Sequence, residues 1–282
     1  MSSRYHLLAL CLVVTLAGAF SVVGAPVPAE PGKPREGPLG MKFVKLPKAT
    51  FYMGWDGDKK KGVKTEIKED FEIAIHTVTQ GQWQEVMGKN PSWFSRDGGG
   101  KDQVKDIKDE DLKHFPVERV SWEEALEFIK KLNEKEKGRG YLYRLPSEAK
   151  WEYACRGGAT SEEECSYHFY FEKPTNDLSS KQANFHGDYP YGKGEKGPNL
   201  GRTTKVGSYA PNKLGLYDMH GNVWQWCEDL YDPKALARVL RGGGWLSNGG
   251  ICRSAYLRRP GPDNRLQGRG FRLAAVPEVG AK

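Results

Sequence analysis

The stretch from Gly215 to Arg272 constrains this chain more than any other part of it. It reads GLYDMHGNVWQWCEDLY, then RVLRGGGWLSNGGICRSAY, and after a short gap GRGFRLA. Gly, Trp, Asn and Asp crowd together in an order that neither a helical period nor a strand alternation produces. Such a run makes sense as irregular backbone pinned by buried tryptophans, with polar side chains clamping the loops, around a metal ion in some folds. Long ordered loops are therefore expected to dominate the C-terminal half.

The other end of the chain is of a different kind. Arg4 and His6 precede an apolar run from Leu7 to Val23 that closes on Val23-Gly24-Ala25 before Pro26. A basic start, an apolar middle and small residues at the end make residues 1–25 a secretory signal peptide, with cleavage expected after Ala25. The run is short for a spanning helix, which needs about 20 apolar residues, and no later segment is apolar enough to cross a bilayer. Residues 26–40 (PVPAEPGKPREGPLG) are rich in Pro, Gly and charge and are expected to form a disordered linker. The rest of the chain is long enough for one large domain, 41–276, with a short tail at 277–282.

Charge narrows the partners. The chain has 43 Lys+Arg against 36 Asp+Glu, a formal net charge of +7. The bases are scattered beside acids, as in Lys135-Glu136-Lys137, and form no basic stripe interleaved with aromatics, so nucleic acid is not expected as a partner. Beyond Cys11 in the leader, Cys155, Cys165, Cys227 and Cys252 remain, an even count that permits two disulfides in an exported chain. No CxxC pair suggests zinc. Asn90 is followed by Pro91, so no glycosylation sequon survives, in keeping with a secreted, periplasmic or cell-envelope home.

Along the domain, KFVKLPKATFYMG (Lys42–Gly54) alternates like an opening strand and FEIAI (71–75) like another, with a charged loop at 55–70 between them. Thr79 precedes Gln82 by three residues, a capping box, and Trp83, Val86 and Met87 make a buried face before Gly88 stops the helix. The clearest helix starts at Ser121, with Glu124 closing its box and Trp122, Ala125, Leu126, Ile129 and Leu132 on one face. Ser147 caps a third helix after the short strand YLYRLP. From Gly157 to Gly207, Gly, Pro and Asn recur every few residues and helical pattern disappears. The residues alone thus point to a mixed domain, helical early and irregular late.

Seven phrases in order, TQGQWQEVMGKNPSWF, FPVERVSWEEALEFIKKLN, YRLPSEAKWEYACRGG, YPYG, PNKLGLYDMHGNVWQWCEDLY, RVLRGGGW and GRGFRLA, resemble the formylglycine-generating enzyme (sulfatase-modifying factor) family. The resemblance spans about Met41 to Ala275. It implies an α+β, C-type-lectin-like formylglycine-generating-enzyme fold, a single domain poor in regular secondary structure. It also implies an oxidase that converts a sulfatase cysteine to formylglycine with copper(I), Cu+, held between two cysteines. Soft thiolates suit copper(I).

In the family those cysteines lie five residues apart just after RGG. Counting forward from Arg241-Gly242-Gly243, they fall on Ser247 and Cys252, and a serine hydroxyl does not replace a thiolate as a copper(I) ligand. Counting back from Gly270-Phe271-Arg272 instead, neither is present. Cys252 is then expected to be a disulfide partner of Cys155, Cys165 or Cys227. The resemblance further implies calcium (Ca2+) on the turn Asp218–Gln225, with oxygens from Asp218, Gly221, Val223 and the residue at 225. The family has Glu where this chain has Gln225, which coordinates without charge. A second calcium site would begin at Asn184, but no matching Asp follows.

Arg253 and Arg272 are expected to hold loop carbonyls, whereas Arg258, Arg259 and Arg265, among Pro and Gly, suit a contact surface for carboxylates. His76, His114, His168, His186 and His220 are isolated and offer no metal spacing. Two readings result: a binding module for a protein or peptide partner, such as a sulfatase or envelope component, and a copper-dependent oxidase acting through Cys252.

Overall fold

Pro47 ends the opening strand early, because its ring leaves no N–H for a neighbour and the next amide, Lys48 N, turns instead to the Asp70 carboxylate at 2.9 Å. In the computed structural model, which describes residues 33–57, 61–232, 234 and 236–278, the expected single strand is therefore two. In chain order the N-terminal elements are β1 (Arg35–Glu36), β2 (Lys42–Leu46), β3 (Ala49–Met53), β4 (Val63–Ile67), β5 (Phe71–Ala74), α1 (Gln80–Met87), α2 (Asp109–Leu112) and α3 (Trp122–Lys135). Then come β6 (Tyr141–Arg144), α4 (Glu148–Cys155), α5 (Glu162–Cys165), β7 (Phe169–Tyr170) and β8 (Pro174–Thr175). Beyond a long irregular stretch lie β9 (Trp224–Asp232), β10 (Ala237–Arg241), β11 (Leu257–Arg258), β12 (Arg269–Phe271) and β13 (Ala274–Pro277).

The first sheet has the order β1-β2-β5-β13-β6 and is antiparallel throughout, so the last strand is slotted between early ones. The second, β11-β10-β9-β12, carries the Trp-rich signature, with β12 parallel to β9. The strands β3 and β4 form their own hairpin, which takes part of the region expected as a charged loop. The linker expected to run to Gly40 also ends sooner: Arg35–Glu36 pairs with β2, and Pro38–Gly40 makes a helical turn with Pro38 buried. The segment expected as a signal peptide, 1–25, and the expected linker up to residue 32 lie outside the described residues.

Capping follows the sequence pattern. Thr79 and Ser121 each make both halves of a capping box with Gln82 and Glu124, and the Ser147 hydroxyl accepts from Lys150 N. Gly88 ends α1 in the left-handed conformation. The apolar faces of α1 and α3 then meet one core: Trp83 stacks on Phe128 at 5.4 Å, and both rings meet the edge of Phe271 from β12. Trp226, fully buried, donates its indole N–H to Val120 O at 2.9 Å, and Trp122 donates to Cys227 O at 2.9 Å, which ties the start of α3 to β9. Burying tryptophan this way satisfies its one donor while removing a large apolar area from water. Among the described residues no helix is long and apolar enough to cross a membrane.

The second core includes the buried apolar residues of α4 and gathers Phe51, Phe71, Trp151, Tyr153 and Leu216. Three charges cross it. Glu152, fully buried, takes Arg156 at 2.7 Å and is in contact with the Arg241 guanidinium at the end of β10, while Gly54 N donates to it at 2.6 Å. Arg156 also donates to the carbonyls of Cys165 and Trp55 and to the Tyr170 hydroxyl. Such a triad is stable only because nearly every donor has an acceptor, and it fixes where the signature loop leaves β10.

Candidate functional site

Where β10 ends, the chain turns through Gly242 and Gly243, both at positive φ. A Cβ on Gly243 would lie 2.6 Å from Cys252 Sγ, so only glycine lets the loop close on that thiol. Ser247 Oγ accepts from Gly244 N at 3.0 Å, while Ser247 N donates to Gly244 O at 2.8 Å. Asn248 then caps a short helical turn, Gly249–Cys252. Ser247 is thus a turn-closing residue, and no His–Asp relay stands behind it in the hydrogen-bond network of the described residues.

Cys252 is fully buried with Phe169, Leu178, Ala183 and Phe185, and burial pushes its thiol up to about 12. Cys155, Cys165 and Cys227 are buried as well, and Cys155 and Cys227 belong with Cys165 to a different core. All four are free thiols, which overturns the expected disulfide of Cys252. Burial raises each of the other three too, Cys155 to about 12. A thiol so enclosed holds its proton and is a poor nucleophile and a poor metal ligand. One enclosed thiol and one hydroxyl engaged in a turn do not make the two-thiolate site that copper(I) takes.

His220, which spacing alone leaves without a role, is a strut. Its Nδ1 lies 2.8 Å from Cys252 O and its Nε2 accepts from Tyr170 N at 2.9 Å, which assigns the proton to Nδ1. Burial pushes its pKa down to about 4, so the ring is neutral at neutral pH and ties the Cys252 turn to β7.

The turn expected to hold calcium is filled by other partners. Gln225 Oε1 accepts from Trp151 Nε1 at 2.8 Å and from Arg272 Nε at 2.6 Å, and its amide donates to Asp218 O at 2.8 Å. Asp218, at positive φ, accepts from Gly207 N at 2.9 Å. Gly221 N bonds Gly242 O at 2.7 Å, and a Cβ there would sit 2.4 Å from Asn184 O. The Asn184 amide donates to Arg202 O and to Asn222 Oδ1, and its carbonyl accepts from Asn222 N. Val223 is wholly buried in the packing beneath. Arg272, fully buried, donates onward to Ala74 O and Tyr217 O. With an uncharged amide whose oxygen already has two donors, and a guanidinium beside it, this turn does not fit a divalent cation. Among the described residues no three His, Cys, Asp or Glu side chains converge.

The arginines divide largely as expected. Arg253 donates to Gly250 O at 2.7 Å and pairs with Asp56, while Arg272 holds three carbonyls. Arg265 faces α3, 3.0 Å from Glu124, instead of standing free. Arg259 lies over Tyr231. Arg258 covers the Trp224 ring at 5.1 Å and, with Arg269, enters a cleft of about 160 Å³ whose walls also include Trp245, Ser247 and Leu266. Burial, and then Arg258, press Arg269 down to about 10, and Asn264 takes one of its N–H groups.

Two further residues escape a reading by spacing. Trp245 has a buried indole N–H without a partner among the described residues, and it meets Phe94 edge-on at 5.2 Å. Glu118 is buried beside the same loops. It accepts from Phe94 N at 2.9 Å, and burial pushes it up to about 7. In sequence its one signal is an acid inside the apolar phrase FPVERV. The cleft is therefore cationic, aromatic-walled and rimmed by Leu246 and Leu266, which are 61% and 51% exposed. It is equipped to hold a carboxylate beside an apolar group, and it presents no exposed thiol.

Known proteins resemble this chain in sequence and in fold. The chain is 29% identical over 250 residues to a chaperone protein, LppX, of Paenibacillus barcinonensis, covering 72% of this chain and 81% of LppX. It is 31% identical to the formylglycine-generating enzymes of Streptomyces coelicolor (57% of this chain, 52% of the enzyme) and Mus musculus (74% and 55%), so it spans about half the length of those enzymes. Among solved structures, Treponema denticola variable protein 1 superposes with a TM-score of 0.66 at 25% identity, covering 86% of this chain and 98% of that one. PvdO from Pseudomonas aeruginosa superposes with a TM-score of 0.64 at 22% identity, covering 89% and 100%. These neighbours establish the C-type-lectin-like, loop-rich α+β fold. The sulfatase-modifying factor enzyme 1-like domain matches residues 30–276, and the chain belongs to that family.

Proposed function

We propose that this family member is an exported binding module that has lost the oxidase chemistry and uses the cleft between Trp224, Trp245, Arg258 and Arg269 to hold a carboxylate-bearing segment of a protein partner. The observation that carries this reading is the state of Cys252: a thiol enclosed by Phe169, Leu178, Ala183 and Phe185, with Ser247 at the position of its would-be partner. Recognition needs only the shape of the loop scaffold and its guanidiniums, whereas the oxidase needs a second soft sulfur. The likeness to the chaperone LppX and to formylglycine-generating enzymes supports a protein as the partner class. Export rests on the residue pattern at 1–25, and a secreted or envelope location goes with it.

Two measurements test the proposal. The chain is incubated with copper(I), dioxygen and a cysteine-containing sulfatase peptide, and the peptide mass is followed; an unchanged peptide is expected, and an aldehyde product overturns the reading. Tryptophan fluorescence is then titrated with a peptide ending in a free carboxylate and with its amide. The acid is expected to bind more tightly, and Arg258→Ala with Arg269→Ala to abolish the difference. Equal binding of acid and amide rules out the carboxylate site.

A further inference from the structure

A second cavity, of about 360 Å³, opens away from the cleft, where the segment 39–42, the segment 74–79 and the loops carrying His114 and Lys205 meet. Its size falls in the range of small-molecule sites, about 300–1,000 Å³. Leu39, Met41, Ala74, Ile75, Val78 and Val206 are its apolar lining. The charged and titratable lining residues are Lys42, Lys205, His76 and His114, and no Asp or Glu is among them.

Two wall residues carry polar atoms that nothing in the described protein satisfies. Thr77 is 1% exposed and its Oγ1 has no hydrogen-bond partner; His76 Nδ1 has none either. The His76 ring lies against Tyr217 at 4.8 Å between centroids. Burial, with Arg272 and Lys42 adding to it, pushes His76 down to about 4, so it is a neutral ring able to donate or accept. Both unpaired atoms are closed to solvent as well, so the head-group contacts of a ligand fall to the lysines at the rim. At the rim, Lys42 lies 3.2 Å from Glu36 and Lys205 2.9 Å from Asp111, both as half-exposed surface pairs that a ligand can exchange at small cost.

We infer that this cavity binds a small amphipathic carboxylate, with its apolar body against Leu39, Met41 and Val78 and its head group toward Lys42 and Lys205. The apolar wall selects an alkyl or aryl body, and the two rim lysines with no lining acid favour an anion over a cation. None of this depends on the cleft or on the reading given to it.

The test uses calorimetric titration of the full chain with three probes sharing one alkyl tail: decanoate, decan-1-ol and decyltrimethylammonium. Decanoate is expected to saturate a single site, with the alcohol at least about fivefold weaker, as for the loss of one charged contact, and the ammonium compound without saturable binding. Lys42→Gln and Lys205→Gln, both at exposed positions, should each weaken decanoate by about fivefold. Lys181→Gln, a remote surface lysine, serves as the control and should change nothing. Absence of saturable decanoate binding, equal binding of all three probes, or lysine variants that bind like the parent each overturns the assignment. Cleft variants at Arg258 should leave decanoate binding intact, which separates this site from the cleft.

Discussion

Replacing Glu152 by Gln tests how the signature loop is held. Glu152 is fully buried and accepts from Gly54 N, from Arg156 at 2.7 Å and from Arg241, so it is the one anion facing two enclosed guanidiniums at that point among the described residues. Gln keeps the shape and one acceptor oxygen but turns an NH2 toward one of the cations. Arg156 retains Cys165 O, Tyr167 O, Trp55 O and the Tyr170 hydroxyl, and Arg241 retains Tyr256 O with Glu148 at 3.6 Å, so neither is wholly stripped. Removing one partner of a buried ion pair costs about 3–5 kcal/mol, and the residual acceptors place this case toward the lower figure. For a domain of this size that corresponds to a drop in melting temperature of about 6–20 °C.

Differential scanning calorimetry at neutral pH reads it, and its pH dependence supplies the sign. Burial alone would raise the Glu152 carboxyl, but Arg241 and then Arg156 outweigh it and hold the group below its ordinary value of 4.5. A carboxyl depressed in the folded state contributes stability above its unfolded pKa, and that contribution is lost as pH falls through the folded value. The gap between parent and Glu152→Gln should therefore be full at pH 7 and narrow below pH 4.5. A variant melting within about 2 °C of the parent at pH 7, less than 1 kcal/mol by the same conversion, would refute the triad as the anchor of the loop.

Other outcomes rest on the same geometry. Cys155, Cys165, Cys227 and Cys252 should resist alkylation in the native chain and all react in denaturant without reductant; a thiol count that rises on reduction would restore the disulfide. Gly221→Ala, at positive φ with a Cβ 2.4 Å from Asn184 O, should lose at least about 2 kcal/mol by urea unfolding, whereas Gly40→Ala, at φ +70 with nothing within 4 Å, loses only about 1; equal losses would remove the close approach as the cause. Glu118, raised to about 7 by burial, makes the folded state hold a proton that the unfolded chain releases near 4.5, so stability falls as pH rises through that window; Glu118→Gln should flatten this slope, and an unchanged slope assigns it elsewhere. Melting in chelator and in millimolar calcium should coincide, because Gln225 and Arg272 already fill the Asp218 turn; a clear calcium-dependent rise would show that the turn reorganises.

Much of the architecture was legible before any coordinates. Local rules carried the three caps at Thr79, Ser121 and Ser147, the helices behind them, and the loop-rich signature, because capping and periodicity act over a few residues. Counted forward from Arg241-Gly242-Gly243, the family resemblance puts a missing sulfur at Ser247. The β3–β4 hairpin was not legible as a unit: β3 reads as a continuation of β2, and β4, with Lys64 and Glu66, reads as part of a charged loop, while pairing across a loop leaves no periodic mark.

The composition and motifs of this chain, taken alone, determine its family, its loop-rich signature and the lack of a cysteine pair at Ser247 and Cys252, since these depend on residue identity and order. Tertiary structure alone decided that Cys252 is an enclosed free thiol, that Arg272 and Trp151 take the Gln225 oxygen, and that His220, Glu118 and Glu152 are buried supports. Each of those outcomes depends on which side chains burial brings together from distant parts of the chain, or on how far it desolvates them. Desolvation and long-range pairing set a side chain's charge and reach, and a linear sequence carries no measure of either.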